Sequence, residues 1–109
     1  MTRWRSVKVR EAVTKAEAKW MTAIVRIGCI ACRVMGHDGV PGLVHHLLSD
    51  GKRRRGHLFT ICLCWLHHQA GVCDDEIVSR HPWKKKFEQR YGSEAKLLRM
   101  TKKLVRELS

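Results

Sequence analysis

Apolar residues recur at helical spacing near the start of the chain. Trp20, Ile24 and Ile27 follow residues 14–17, Thr-Lys-Ala-Glu, which have the capping-box pattern of a helix start. Gly28 is placed to end this helix, because glycine readily adopts the left-handed conformation that often follows a last helical turn. The pattern therefore predicts an amphipathic helix from about residue 14 to residue 27.

Two segments in the middle of the chain have the composition of short strands. They are 43–48, Leu-Val-His-His-Leu-Leu, and 57–63, His-Leu-Phe-Thr-Ile-Cys-Leu. The residues between them, 49–56, are expected to form a basic loop. A further helix is expected to begin at Trp65 and to continue to about Gln69.

The helical pattern returns in the last third of the chain. A helix is predicted over 84–91, with Pro82 close to its start and Gly92 at its end. Ser93 can cap a final helix. The apolar stripe of that helix consists of Leu97, Leu98, Leu104, Val105 and Leu108. The order of helix, two strands, helix and C-terminal helices predicts an α+β fold.

The charge balance indicates the kind of molecule that the chain binds. The chain has 22 Lys and Arg residues against 10 Asp and Glu residues, a net charge of +12 with the histidines neutral. Such an excess favours a polyanion, because each neutralised phosphate releases condensed counterions. A ribosome-like or simply basic protein would show the same balance, and charge indicates nothing about catalysis.

The spacing of cysteine and histidine predicts a structural zinc site. Cys29 and Cys32 form one half-site, and Cys64 with His67 repeats the two-residue gap. Zinc takes four nitrogen or sulfur ligands in a tetrahedron, so two such half-sites close its shell. The alternative to a zinc site is that these cysteines are buried as small apolar residues. The presence of two matched half-sites favours zinc over this alternative. The neighbouring Cys62 alternates with Cys64 on a strand, so it should face the core.

The remaining cysteine and the chain length complete the domain prediction. Cys73 is expected to be free. At 109 residues the chain has the size of one domain, for which a metal commonly supplies missing stability. Residues 1–13 are predicted to be a basic arm, and 14–109 a single zinc-stabilised domain. The sequence lacks both a run of eighteen apolar residues and a secretory core, so we expect no membrane span and a cytoplasmic location.

Two pairs of adjacent histidines offer a second kind of chemistry. Because neighbouring strand residues face opposite sides, His45 and His46 should have different tasks. Histidine serves both as a metal ligand and as a near-neutral base, so one imidazole of the pair would bind a cation and the other would activate water. If His67 ligates zinc, the adjacent His68 is available for a second ion.

The order of these motifs resembles that of the HNH nucleases. More narrowly, the chain resembles the phage recombination-enhancement (Ref) family of RecA-dependent HNH nucleases, over residues from about 14 to 98. Several short motifs in one order make this resemblance specific. The segments that carry it are 15–17, 28–32, 45–46, 56–60, 63–68 and 83–98.

The resemblance implies an HNH, or ββα-metal, core and a role for each histidine. His45 corresponds to a ligand of the catalytic cation, His46 to the general base and His68 to a second ligand. His57 is the nearest candidate for the middle position, which is usually Asn, and it lies farther from the second half-site than is usual. His81 is either a third ligand of the catalytic ion or a capping residue.

The implied function is a metal-dependent DNA endonuclease with a structural Zn²⁺ and a catalytic Mg²⁺, Mn²⁺, Ni²⁺ or Zn²⁺. The implied partners are DNA and a RecA-type recombinase filament, in a bacterial host with a phage or prophage gene. Basic residues are expected to hold the phosphate backbone. They are Lys52, Arg53, Arg54, Arg55, Lys84, Lys85 and Lys86. The alternatives are a catalytically inactive zinc-stabilised nucleic-acid-binding module and, less favoured, a two-zinc structural protein that mediates protein contacts.

Overall fold

Five helices and two antiparallel strand pairs make up the described part of this computed structural model, which comprises residues 13–49, 53–54 and 56–108. The fold is α+β, as the sequence predicts. In chain order the elements are α1 Lys15–Ile27, α2 Ile30–Val34, β1 Leu43–His46, β2 Leu48–Ser49, β3 Arg53–Arg54, β4 Thr60–Leu63, α3 Trp65–His68, α4 Lys84–Tyr91 and α5 Glu94–Leu108.

The predicted capping box begins helix α1. The Thr14 side chain accepts a hydrogen bond from the Glu17 N–H at 3.1 Å, and the Glu17 carboxylate accepts one from the Thr14 N–H at 2.9 Å. The helix ends at Ile27, and Gly28 has a φ of 89°. A side chain at Gly28 would lie 2.7 Å from the carbonyl oxygen of Val40, so the close approach of these two backbones requires glycine. This turn leads directly into the short helix α2, which the sequence pattern did not predict.

Strands β1 and β4 pair antiparallel, with His45 opposite Ile61 and His46 opposite Thr60. Both strands are shorter than predicted. Residues 57–58 form a turn, in which the Phe59 N–H donates to the Gly56 carbonyl at 3.1 Å, so the second strand begins at Thr60 rather than at residue 57. The first strand ends at His46 rather than at residue 48, because the chain passes there into a second strand pair.

The predicted basic loop at 49–56 is therefore partly wrong. Its backbone contributes to a two-residue antiparallel pair, in which Leu48 lies opposite Arg54 and Ser49 opposite Arg53. Two residues opposite two others suffice for a strand pair, and such a short pair leaves no periodicity for a sequence pattern to show. Two of the predicted phosphate contacts, Lys52 and Arg55, and residues 1–12 of the predicted arm lie outside the described residues.

The C-terminal helices α4 and α5 occupy the predicted positions. Gly92, with a φ of 114°, separates them, and the Ser93 hydroxyl accepts a hydrogen bond from the Lys96 N–H at 3.1 Å. Apolar side chains of both helices join β4 and α2 in one buried core. This core includes Phe87, Tyr91, Leu97, Leu98, Ile61, Leu63 and Ile30. None of the helices in the described residues is long and apolar enough to cross a bilayer.

Candidate metal centre and histidine site

Cys29, Cys32, Cys64 and His67 converge where α2 meets the start of α3. Their ligand atoms all lie within 4.8 Å of one another, and each residue is at most 8% exposed. The two half-sites predicted from sequence thus form one buried cluster. Cys62 is buried in the core instead, and Cys73 is exposed and unpaired, both as predicted.

The spacing of these atoms fits a tetrahedral zinc ion. Zinc–sulfur bonds of about 2.3 Å and zinc–nitrogen bonds of about 2.0 Å would separate two sulfurs by about 3.8 Å, and a sulfur from a nitrogen by about 3.5 Å. The Sγ atoms of Cys32 and Cys64 are 3.8 Å apart. The Nδ1 atom of His67 lies 3.6, 3.4 and 3.2 Å from the Sγ atoms of Cys29, Cys32 and Cys64.

Burial disfavours ionised thiols in this cluster. It raises the pKa of the Cys29 and Cys32 thiols above the ordinary value, and the nearby thiols raise that of Cys32 further. Burial also lowers the pKa of His67, which keeps its imidazole neutral and able to ligate. A divalent cation offsets the cost of burying thiolates at close quarters, so the donor set fits a structural zinc.

A tyrosine that the sequence pattern did not reveal contacts the histidine of the Cys29 cluster. The Nε2 atom of His67 lies 3.1 Å from the hydroxyl oxygen of Tyr91, which also accepts a hydrogen bond from the Val78 N–H at 3.1 Å. Because Nδ1 faces the thiols, Nε2 is the nitrogen that carries the proton, and it donates a hydrogen bond to the hydroxyl oxygen of Tyr91. Such a partner fixes the orientation of a ligating histidine and its tautomer.

Tyr91→Phe should therefore weaken zinc binding while the fold persists. We expect the variant to lose zinc to a competing chelator about 10- to 100-fold more readily than the wild type, as for other outer partners of metal ligands. Competition with a colorimetric chelator measures this affinity, and circular dichroism checks the fold. Equal zinc retention in variant and wild type would contradict the positioning role of Tyr91.

Apart from the Cys29 cluster, a second buried polar network includes His45. The ring centroids of His45 and His68 are 4.6 Å apart in an edge-to-face contact. The Nε2 atom of His45 lies 3.2 Å from Oε2 of Glu94, and the same oxygen accepts a hydrogen bond from Nε of Arg80 at 2.6 Å. The sequence pattern did not reveal Glu94 and Arg80, since they lie 49 and 35 positions after His45.

This network sets the charge of its members. Burial, with the neighbouring charges of His45, Arg80 and His81, lowers the pKa of His68 to about 4. Burial alone would raise the pKa of Glu94, but hydrogen bonds from His45 and Arg80 outweigh it and bring the pKa to about 2. At neutral pH the site therefore holds a neutral His68 imidazole and an ionised Glu94 carboxylate.

The other strand histidine faces a different partner. The Nε2 atom of His46 lies 3.0 Å from Nδ1 of His57. The buried Thr60 hydroxyl donates to the His57 carbonyl at 2.9 Å and accepts from the Trp20 indole N–H at 2.9 Å. Side chains from α1 and β4 thus fix the backbone of His57 beside His46.

A comparison with protein families identifies the family of this chain. The family described as "recombination enhancement, RecA-dependent nuclease" matches residues 13–106. This chain belongs to that family. A search of curated proteins finds no match. The resemblance carried by the sequence motifs is thereby confirmed, and the chain is a member of a nuclease family.

In this recombination-enhancement nuclease, the predicted ligands of the catalytic ion are only partly brought together. His45 and His68 are in contact, and the exposed His81 adjoins them through its N–H, which donates to the His68 carbonyl at 2.8 Å. Within the described residues, however, the Cys29 cluster is the one group of three or more potential ligands that meets within 4.8 Å. His45, His68 and His81 do not form such a group in the part of the chain that the structure describes.

Among the basic residues predicted to contact phosphate, those whose side chains the structure describes lie on α4. Lys84, Lys85 and Lys86 occupy the first turn of this helix, and Nζ of Lys86 lies 5.6 Å from the centre of the Trp83 ring. Strand β3 thus contains Arg53 and Arg54, and helix α4 contains the three lysines. The side chains of Arg53 and Arg54 lie outside the described part of the structure.

Proposed function

We propose that this protein is a metal-dependent DNA endonuclease with an HNH core, in which β1, β4 and α3 form the ββα unit. One observation carries the proposal. Adjacent histidines on β1 face opposite sides, and each meets a different partner, His68 for His45 and His57 for His46. A module that only binds nucleic acid has no need for two adjacent histidines that each contact a different histidine.

His45 and His68 are the residues that would hold the catalytic ion. The pKa of His68, about 4, keeps its imidazole neutral at working pH, as a ligand must be. Imidazole donors suit Zn²⁺ and Ni²⁺, and Mn²⁺ and Mg²⁺ are further candidates. A bound divalent ion supplies Lewis-acid stabilisation of the charge that develops on the phosphate and the leaving oxygen.

In the proposal, His46 is the general base that takes a proton from the attacking water. Its contact with His57, at 3.0 Å, orients the ring, the task that an Asn usually has in the HNH pattern. The hydrogen bonds through Thr60 to Trp20 hold His57 in turn. A positioned base of this kind contributes about a hundred- to ten-thousandfold to the rate.

The structural zinc is proposed to hold α2 in a fixed position relative to the junction of β4 with α3. Its ligands come from α2 and from the junction of β4 with α3. His67 and His68 are neighbours on α3, so fixing His67 in the zinc cluster also fixes the backbone of His68. The metal cluster therefore acts on catalysis through position, and its identity as zinc rests on the spacing of its donor atoms.

We propose DNA as the substrate and a RecA-type filament as the partner. The net charge of +12 favours a polyanion, and the family is described as RecA-dependent. Lys84, Lys85 and Lys86 on α4, with the segment 52–55, would contact the phosphate backbone without reading sequence. Such a protein would act in the cytoplasm of a bacterial host and be encoded by a phage or prophage.

The first experiment is a cleavage assay with purified protein on plasmid and single-stranded DNA. It uses Mg²⁺, Mn²⁺, Ni²⁺ and Zn²⁺ separately, each with and without a RecA filament. Metal-dependent cutting is expected, with the filament stimulating it. Tight, salt-sensitive DNA binding without cutting under every condition would instead identify a catalytically inactive, zinc-stabilised binding module.

A further inference from the structure

Glu94, at the first position of α5, is a buried carboxylate that the proposed reaction leaves without a role. Its Oε2 atom lies 3.2 Å from Nε2 of His45 and accepts the hydrogen bond from Nε of Arg80. The side chain is 11% exposed. Helix α5 thus places a carboxylate in contact with a histidine that is proposed to bind the catalytic ion.

The contact with Glu94 determines the tautomer of His45. Oε2 of Glu94 accepts the hydrogen bond from the Arg80 guanidinium, which is always charged, so this oxygen acts as an acceptor. The proton of the 3.2 Å contact therefore belongs to Nε2 of His45. In a neutral imidazole that carries its proton on Nε2, the lone pair available for ligation is on Nδ1.

We propose that Glu94 is a positioning residue, which holds His45 in the Nε2–H tautomer and so makes Nδ1 the atom that ligates the divalent cation. This inference rests on the proposed nuclease function and adds a specific ligand atom to it. His67 shows the same arrangement in the zinc cluster, where Nε2 contacts Tyr91 and Nδ1 faces the thiols. Both histidines thus have an outer partner on a C-terminal helix.

A purely structural role for Glu94 makes a different prediction. The ion pair with Arg80 connects the start of α5 to the segment before α4, and this connection alone would stabilise the fold. In that case, removing the carboxylate would lower the melting temperature, and the His45 ring would keep its tautomer and its affinity for metal. The tautomer of His45 therefore separates the two roles.

The test compares Glu94→Ala and Glu94→Gln with Thr101→Ala as a matched control. Thr101 is buried on the same helix, and its hydroxyl donates to the Leu97 carbonyl at 2.8 Å. Long-range ¹H–¹⁵N correlation spectra of the full chain, with its structural metal retained, report the tautomer of each imidazole. Titration with Mn²⁺, followed by electron paramagnetic resonance of the free ion, reports metal affinity without DNA.

In the wild type we expect His45 as the Nε2–H form. In Glu94→Ala we expect a mixture of tautomers and Mn²⁺ affinity weakened by about 10- to 100-fold, the usual effect of losing an outer partner. Glu94→Gln should retain the Nε2–H form and lose less affinity, because the amide oxygen still accepts the hydrogen bond. Thr101→Ala should lower only the melting temperature.

A wild-type His45 protonated on Nδ1, or a Glu94→Ala variant with wild-type tautomer and Mn²⁺ affinity, would overturn the inference. The cleavage assay separates this result from failure of the nuclease proposal. If the wild type cuts DNA and the spectra of Glu94→Ala are unchanged, the nuclease proposal stands and the positioning role of Glu94 is overturned. If the wild type does not cut DNA but the tautomer of His45 changes in Glu94→Ala, the nuclease proposal is overturned and the effect of Glu94 on His45 is supported.

Discussion

His46→Ala is expected to lower the rate of metal-dependent DNA cleavage by about a hundred- to ten-thousandfold, the contribution of a positioned general base. Fold and DNA affinity should change little, because the half-buried His46 side chain contacts His57 and is not part of the Cys29 cluster. Single-turnover cleavage of plasmid DNA with a RecA filament measures the rate, and salt-dependent binding measures the affinity.

The matched control for this variant is His37→Ala. His37 is an exposed histidine between α2 and β1, outside both the zinc cluster and the strand pair. Its removal deletes an imidazole of the same size and should leave cutting at the wild-type rate. Cleavage by His46→Ala at the wild-type rate would assign the base to another residue.

Cys29→Ser is expected to leave the domain unfolded at ordinary temperature. Binding of structural zinc is worth about 10–16 kcal/mol in small zinc domains at neutral pH, and binding free energy is folding free energy there. This is comparable with the whole stability of a small domain, about 5–15 kcal/mol. Serine supplies a poorer ligand at a position that is 0% exposed, so three ligands would have to hold the ion alone.

Thermal unfolding by circular dichroism, with zinc content measured by mass spectrometry, tests this expectation. Cys73→Ser is the matched control, because Cys73 is exposed and lies outside the cluster. It should retain one equivalent of zinc and the wild-type melting temperature. A Cys29→Ser protein that melts at the wild-type temperature would show that the cluster has no stabilising metal.

The local elements of this fold are predictable because their signals are contiguous in sequence. The Thr14 capping box, the glycine that ends α1 and the Ser93 cap each act over a few residues. The Cys-x-x-Cys and Cys-x-x-His half-sites can be paired from their spacing, because zinc accepts few ligand sets. The alternation of side chains along a strand likewise separates His45 from His46 on sequence grounds alone.

Short elements and long-range partners are not predictable in this way. The β2–β3 pair and the five-residue helix α2 are shorter than the window in which periodicity appears, so the predicted strands are too long and the predicted loop is too simple. The role of His81, as a third ligand of the catalytic ion or as a capping residue, stays a prediction.

By itself the sequence determined the α+β class, the four residues of the Cys29 cluster and the family, since spacing and order of motifs carry that information. Only the tertiary structure brought Glu94 to His45 and Tyr91 to His67, across 49 and 24 positions. These contacts depend on how α4 and α5 pack against β4 and α2, which no local pattern encodes. Packing therefore decided which side chain contacts the Nε2 atom of each of these two histidines.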